Sequence, residues 1–270
     1  MSTICSLLGD AWQRSGSLLC VGLDPEPAKY PGRFANDPAC TFEFCREIID
    51  ATKDLVCAFK PQIAYFAAFG GEEQLERTIA HIRAVAPHVP VILDAKRGDI
   101  GDTAEQYAQE AFDRYDADAV TVNPYLGTDS IEPFLSRPGR AAIVLCRTSN
   151  AGSGEFQRHG DEPLFLRVAR TAAESWSAMG EVGLVVGATY PGELAEVRAV
   201  APAVPILVPG VGAQGGDAAA VVRAGRDVAG RGLIVNSSRA VLYADSGPGF
   251  ADAARAVAIS TRDAIRAAHS

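Results

Sequence analysis

Eight short, almost continuously apolar runs, most of them followed by residues at helical spacing, are the feature that most narrows the folds open to this chain. They read SLLCVGLD, LVCAFKPQ, VPVILDAK, DAVTVNPY, AAIVLCRTS, VGLVVGATY, VPILVPG and GLIVNSS. Strands apolar on both faces must be covered on both, and strands that alternate with helices pair in parallel. Between the second and third runs Leu75, Ile79, Ile82 and Val85 recur at helical spacing. Phe165, Val168, Ala172, Trp176 and Met179 predict a helix after the fifth run, and Phe250, Ala254, Val257, Thr261 and Ile265 a closing one. Eight such units predict an α/β fold, a (β/α)8 barrel (TIM barrel) formed as a single domain over residues 1–270. An open doubly wound sheet also alternates, but it usually places a Gly-rich dinucleotide turn after its first strand, where this chain has GLDPEP.

Composition limits the partners. With 48% hydrophobic and 21% charged residues the chain has ample material for a core. A net charge of −8 argues against a nucleic-acid binder, which needs basic patches that displace counterions. The first residues, MSTICSLLGDAWQRSG, lack the basic start and apolar stretch of a signal peptide, and no apolar run is long enough to span a bilayer. A cytoplasmic protein without membrane contact is expected. The six cysteines form no CxxC pair, and Cys20, Cys57 and Cys146 fall inside strand-like runs, as small buried hydrophobes. The longest irregular stretch is expected at 148–163, after the fifth strand, on the face where such barrels carry their catalytic loops, which makes it a candidate lid.

The third run ends in an unusual crowd of charges, VILDAKRGDIGDTAEQYA, with Asp94, Lys96, Arg97, Asp99 and Asp102 within nine positions. Asp94 and Lys96 are two apart and so share a strand face, directed at the barrel axis. Arg97 and Gly98 then break the strand, and Asp102 with Glu105 reads as a capping pair for the next helix. The second strand brings Lys60 to the same rim and the first brings Asp24. Buried charges without partners cost several kcal/mol each, so these groups must pair with one another. Flanking carboxylates keep Lys96 an ammonium, able to deliver a proton to a carbanion. After the seventh and eighth strands, PGVGAQGGD (209–217) and NSSRAV (236–241) occupy the positions where barrels commonly bind phosphate, with Gln214 and Arg239 as side-chain donors.

DAKRGDIGDTAEQYA resembles the signature of the orotidine 5′-phosphate decarboxylase family, and the likeness runs on through GLDP, FKPQ, NPYLG, TSN, PGVGAQGG and NSSR. It is nearest to the longer-loop subfamily common in bacteria. The resemblance implies decarboxylation of orotidine 5′-monophosphate to UMP and CO2, the last step of de novo pyrimidine synthesis, with no metal and no cofactor. It makes Lys96 the proton donor to C6 and places Asp94 beside the substrate carboxylate. Lys60 and Asp24 would contact the ribose and complete the charge network. Asp99, Ile100 and Thr103 would reach into the neighbouring subunit of a homodimer. Ser149 would read the pyrimidine edge, Pro209 line the ring, and Gln214 and Arg239 hold the phosphate, while Ser238 stands where many members have glycine.

Two other readings remain at this point. A sugar-phosphate decarboxylase or aldolase of the same superfamily would hold an enediolate on Mg²⁺, but that ion wants a ring of oxygen ligands and Lys96 beside Asp94 adds a cation. A non-catalytic sensor of a phosphate ligand would not need Lys60, Asp94, Lys96 and Asp99 together.

Overall fold

The computed structural model describes residues 4–211 and 217–268. Each predicted run holds one strand: β1 (Leu19–Leu23), β2 (Ala58–Pro61), β3 (Ile92–Arg97), β4 (Ala119–Val122), β5 (Ala141–Arg147), β6 (Glu181–Val186), β7 (Ile206–Pro209) and β8 (Leu233–Ser237). The strands pair in parallel, each with its neighbour in sequence, and β1 also pairs with β8. The remaining seam, between β2 and β3, is closed by parallel bridges from Phe59 to Val91 and from Gln62 to Asp94. A (β/α)8 barrel results.

Helix α1 (Ile4–Ser15) precedes the first strand, and α2 (Thr41–Thr52) joins it to the second. Then come α3 (Ile63–Ala67), α4 (Glu72–Val85), α5 (Gly101–Gln109), α6 (Thr128–Leu135), α7 (Gly154–Gln157) and α8 (Leu164–Glu174). The last four are α9 (Pro191–Val200), α10 (Ala218–Gly225), α11 (Arg239–Leu242) and α12 (Phe250–Ala267). The helical spacings predicted around residues 75–85 and 250–265 fall in α4 and α12. The one predicted through Met179 stops earlier: α8 ends at Glu174 and a tighter turn, Trp176–Ala178, completes the run.

Strand alternation sorts the apolar side chains into two layers. Outward residues such as Val21, Phe59, Leu93 and Val120 pack against Phe44, Ile48, Leu75 and Ile79 of the covering helices. Inward residues Cys20, Ala58, Ile92, Ala119, Ala141, Leu207 and Ile234 fill the lower half of the barrel, and Ile4, Leu8 and Ala11 of α1 plug its floor. Cys20, Cys57 and Cys146 are buried free thiols, as expected. One inward step higher the chemistry changes. Above Ala58, Ile92 and Ala119 stand Lys60, Asp94 and Thr121, all buried. The apolar floor therefore carries a polar layer at the C-terminal mouth.

Two further local expectations fail here. The 148–163 stretch is only partly irregular: Ala151–Ser153 form a turn and Gly154–Gln157 form α7, held by the buried Arg147, while the rest is turn and coil. Asp102 does not cap its helix. Ile100 is the N-cap of α5, with no side-chain cap bond, and Asp102 lies inside the first turn, where its charge complements the helix dipole.

Candidate active site

The polar layer is organised around Asp94, which is 7% exposed. Lys60 Nζ donates to Asp94 Oδ2 at 2.9 Å, and Lys96 Nζ donates to Oδ1 at 2.6 Å. Asp24, just past β1, has Oδ1 3.6 Å from Lys60 Nζ. Lys60 is 3% exposed, whereas the Lys96 side chain is 48% exposed at the mouth. One end of the array is thus sealed and the other open.

Lys96 does not reach Asp94 by simple alternation. The register runs Leu93 with Val120 and then Arg97 with Val122, so β3 bulges between them. Contrary to the expected break at Arg97, that residue still belongs to the strand, and the distortion lies before it. Within the bulge Lys96 adopts φ +48°, left-handed backbone that costs an L residue about 1–2 kcal/mol. Asn36 and Asp116, the other non-glycine residues with positive φ among those described, are of the types that tolerate it. Lysine is not, and here the strained residue is the one that presents an amine to the mouth.

The crowd of charges in the motif then divides. Asp94 and Lys96 turn inward. Arg97 turns outward to Glu110, with Nε and Nη2 bonds of 2.9 and 3.0 Å, and stacks over the Tyr107 ring. The Asp99 carboxylate accepts from the backbone N–H of Ile100 at 2.8 Å. No ion pair joins Asp99 to Lys60 or Lys96 among the described residues. Ile100 and Thr103 are exposed.

Burial would favour neutral forms of both partners, but the paired charges win. The Lys60 and Lys96 ammoniums hold the Asp94 carboxyl well below the usual carboxylate range. The Asp94 and Asp24 carboxylates raise Lys60 above the usual lysine range against the same penalty. Burial pushes the Cys20 thiol up to about 12, so no thiolate nucleophile stands beside the array.

Across the mouth, Pro209 closes β7 and is partly exposed, and Gln214 lies outside the described residues. Ser238 is the N-cap of α11 at φ −115°, and Arg239 begins that helix with its side chain exposed. The Ser238 hydroxyl accepts from Asn236 Nδ2 at 3.1 Å. A Cβ on Gly22 of β1 would fall 1.9 Å from Ser238 Oγ. The glycine that opens this corner is therefore on β1, opposite the serine, and not before the arginine. Tyr243 fastens the neighbouring loop, its hydroxyl donating to Asp24 O at 2.8 Å and accepting from Glu26 N at 2.7 Å.

Ser149 is partly buried, and its backbone lies so close to Gly187 that a Cβ there would be 2.9 Å from Ser149 N. Its loop is clamped by Arg147, the last residue of β5, which is 1% exposed. Arg147 bonds Glu193 of α9, Ser153 Oγ and, at 3.1 Å, Thr148 O. Arg158 grips the same Glu193, and both arginines lie over the Tyr190 ring. Arg147, Glu193, Asn236, Tyr243 and Thr121 were not singled out from sequence. A lone polar residue on the inward face of an apolar strand, as in AVTV, was the available signal for Thr121.

A (β/α)8 barrel that carries an array of paired charges at its C-terminal mouth, sealed at Lys60 and open at Lys96, has the form of a barrel enzyme. The model of the orotidine 5′-phosphate decarboxylase / HUMPS family matches residues 17–254, and the chain belongs to that family. An orotidine 5′-phosphate decarboxylase of Azoarcus sp. (strain BH72) is 62% identical over 259 residues, covering 95% of this chain and 96% of the relative. One from Dechloromonas aromatica (strain RCB) is 59% identical, covering 97% and 98%. Among solved structures, the Leishmania donovani OMP decarboxylase superposes with a TM-score of 0.86 at 42% identity, covering 100% of this chain and 99% of its own.

Proposed function

We infer that this chain decarboxylates orotidine 5′-monophosphate to UMP and CO2, the closing step of pyrimidine nucleotide synthesis. The observation that carries the residue assignment is the 2.6 Å contact of Lys96 Nζ with a carboxylate that is itself buried and held by Lys60. The C6–carboxylate bond breaks, CO2 departs and the electron pair stays on C6. Lys96 gives that carbon a proton, and solvent returns one to the lysine. Asp94 stays ionised and repels the substrate carboxylate placed against it, a repulsion that ends as neutral CO2 forms. The ammonium of Lys96 meanwhile attracts the charge growing on C6.

The remaining roles follow the chemistry of each position. Asp24 Oδ1 is a buried acceptor with no hydrogen-bond donor among the described residues, which suits a ribose hydroxyl. Ser149 is assigned to the pyrimidine edge and Pro209 to the ring face. Gln214, Ser238 and Arg239 are assigned to the phosphate, whose binding energy would drive the carboxylate into its charged pocket. Ile100, Tyr125 and Leu126 are exposed apolar residues on neighbouring loops of the mouth, since Gly98 packs on Asn123. They support a homodimer in which Asp99, Ile100 and Thr103 complete the partner's site. No helix among the described residues is long and apolar enough to cross a membrane, and a cytoplasmic location is proposed.

The magnesium reading fares worse, because both Asp94 oxygens already accept from lysine. The test is conversion of orotidine 5′-monophosphate by the purified chain in excess EDTA. UMP and CO2 in equal amounts are expected. Activity that vanishes with EDTA and returns with Mg²⁺ would move the assignment to the enediolate chemistry.

A further inference from the structure

We propose that Thr121 is a positioning residue for the decarboxylation: its hydroxyl fixes the Asp94–Lys96 pair by tying the bulged backbone and the carboxylate together. The inference rests on the functional reading above. Thr121 sits on β4, faces inward and is 1% exposed. Its Oγ1 accepts from the backbone N–H of Ala95 at 3.0 Å and from that of Lys96 at 2.9 Å. A hydroxyl has two acceptor sites and one proton. Both acceptor sites are therefore taken, and the proton has one partner left, Asp94 Oδ1 at 2.9 Å.

This single oxygen performs two tasks. The bulge moves Ala95 and Lys96 out of ladder register with β4, and Thr121 replaces the ladder bonds they forfeit. It thereby holds Lys96 at its left-handed φ, the conformation from which Nζ turns back to Asp94. The same hydroxyl directs Asp94 Oδ1, which Lys96 shares, while Lys60 takes Oδ2. Thr121 is 1% exposed and every hydrogen-bonding position of its hydroxyl is taken within the protein, which leaves it none for a substrate. It acts through Asp94 and Lys96.

Removing the hydroxyl at constant shape is the direct test. In Thr121→Val, Lys96 loses the bond that fixes its backbone and Asp94 loses one donor, while Pro209, Ser238 and Arg239 are unaltered. Misplacement of this kind is expected to lower kcat about 10²-fold. The affinity for UMP, which has no carboxylate to place against Asp94, should change by less than about threefold. Thr121→Ser, which keeps the oxygen, should recover most of the lost turnover.

Thr121→Ala is measured alongside, so that a valine variant that fails to fold does not end the test. A Val or Ala variant that turns over within about threefold of wild type overturns the proposal. So does a parallel loss of kcat, UMP affinity and thermal stability that serine fails to restore, since that pattern describes a purely structural residue. Wild type is run in the same assay. If it releases no CO2, the functional reading fails and this inference with it, whereas an active wild type beside an equally active Thr121→Val removes this inference alone.

Discussion

Lys96 Nζ lies 2.6 Å from Oδ1 of Asp94, two residues earlier in the same strand, and it reaches there from a left-handed backbone. The contact is built by a bulge, and Lys60 secures the far side of the same carboxylate from β2. The expected consequences concern charge, loop closure, the phosphate corner and the second subunit.

The pH dependence of stability follows from the directions of two shifts. Asp94 is held below the ordinary carboxylate range, so its contribution is complete above about pH 4 and fades as pH falls toward its folded value. Lys60 is raised, so its contribution is complete below about pH 10 and fades only as pH rises through the folded value. Denaturant unfolding of wild type and Asp94→Asn should show a difference, wild type minus variant, that is flat between about pH 5 and 9 and declines below about pH 4. A difference that grows on acidification contradicts the pairing.

Arg147 is the buried clamp of the Ser149 loop. Arg147→Ala leaves the Glu193 carboxylate with Arg158 alone and frees the loop, and it should cost about 3 kcal/mol of stability. KM for orotidine 5′-monophosphate should rise with it. Arg147→Lys should not rescue, because one ammonium cannot reproduce the planar fork that meets Glu193, Ser153 and Thr148 while stacked on Tyr190. Full rescue by lysine, measured by thermal unfolding and initial rates, would mean that only the charge matters.

Gly22→Ala drives a methyl into Ser238 Oγ. Overpacking of this kind costs about 1–3 kcal/mol, and here it should appear as weaker UMP binding, since Arg239 follows Ser238 directly. The double variant Gly22→Ala with Ser238→Gly should recover part of the loss, because the 1.9 Å clash is then gone while Asn236 Oδ1 still crowds the methyl at 2.8 Å. Calorimetric titration with UMP reads both. Unchanged affinity in the single variant would place the phosphate elsewhere.

The proposed shared site predicts complementation between inactive subunits. Lys96→Ala and Asp99→Ala homodimers should each be nearly inactive. After mixing and exchange, one site of each hybrid carries both lesions and the other is intact, so roughly a quarter of wild-type sites should return. Exchange is followed by native mass spectrometry. Exchange without recovery would assign Asp99 to its own barrel.

How much of the fold and site is legible in the sequence depends on the range of the forces involved. The eight strands and the inward direction of Lys60 and Asp94 follow from alternation within a few residues, and each of those expectations matches the structure. The bulge in β3 does not follow, because it is set by pairing with β4 and by Thr121, more than twenty residues away. Asp102 and Glu105 have the spacing of a capping pair, but α5 already begins at Gly101 with Ile100 as its N-cap, which puts Asp102 inside the first turn. The 148–163 loop looked irregular because Glu193, which holds it, belongs to another helix. The relation of Gly22 to Ser238 likewise exists only across the β1–β8 pair.

The most direct test of the account is single-turnover decarboxylation by wild type and Lys96→Ala, with UMP affinity measured on both proteins. The substitution removes the proposed proton donor and leaves the proposed nucleotide contacts Pro209, Ser238 and Arg239 in place. Turnover should fall by at least about 10³-fold while UMP binding persists. A Lys96→Ala protein that still decarboxylates within about tenfold of wild type would contradict the assignment of Lys96 as the acid.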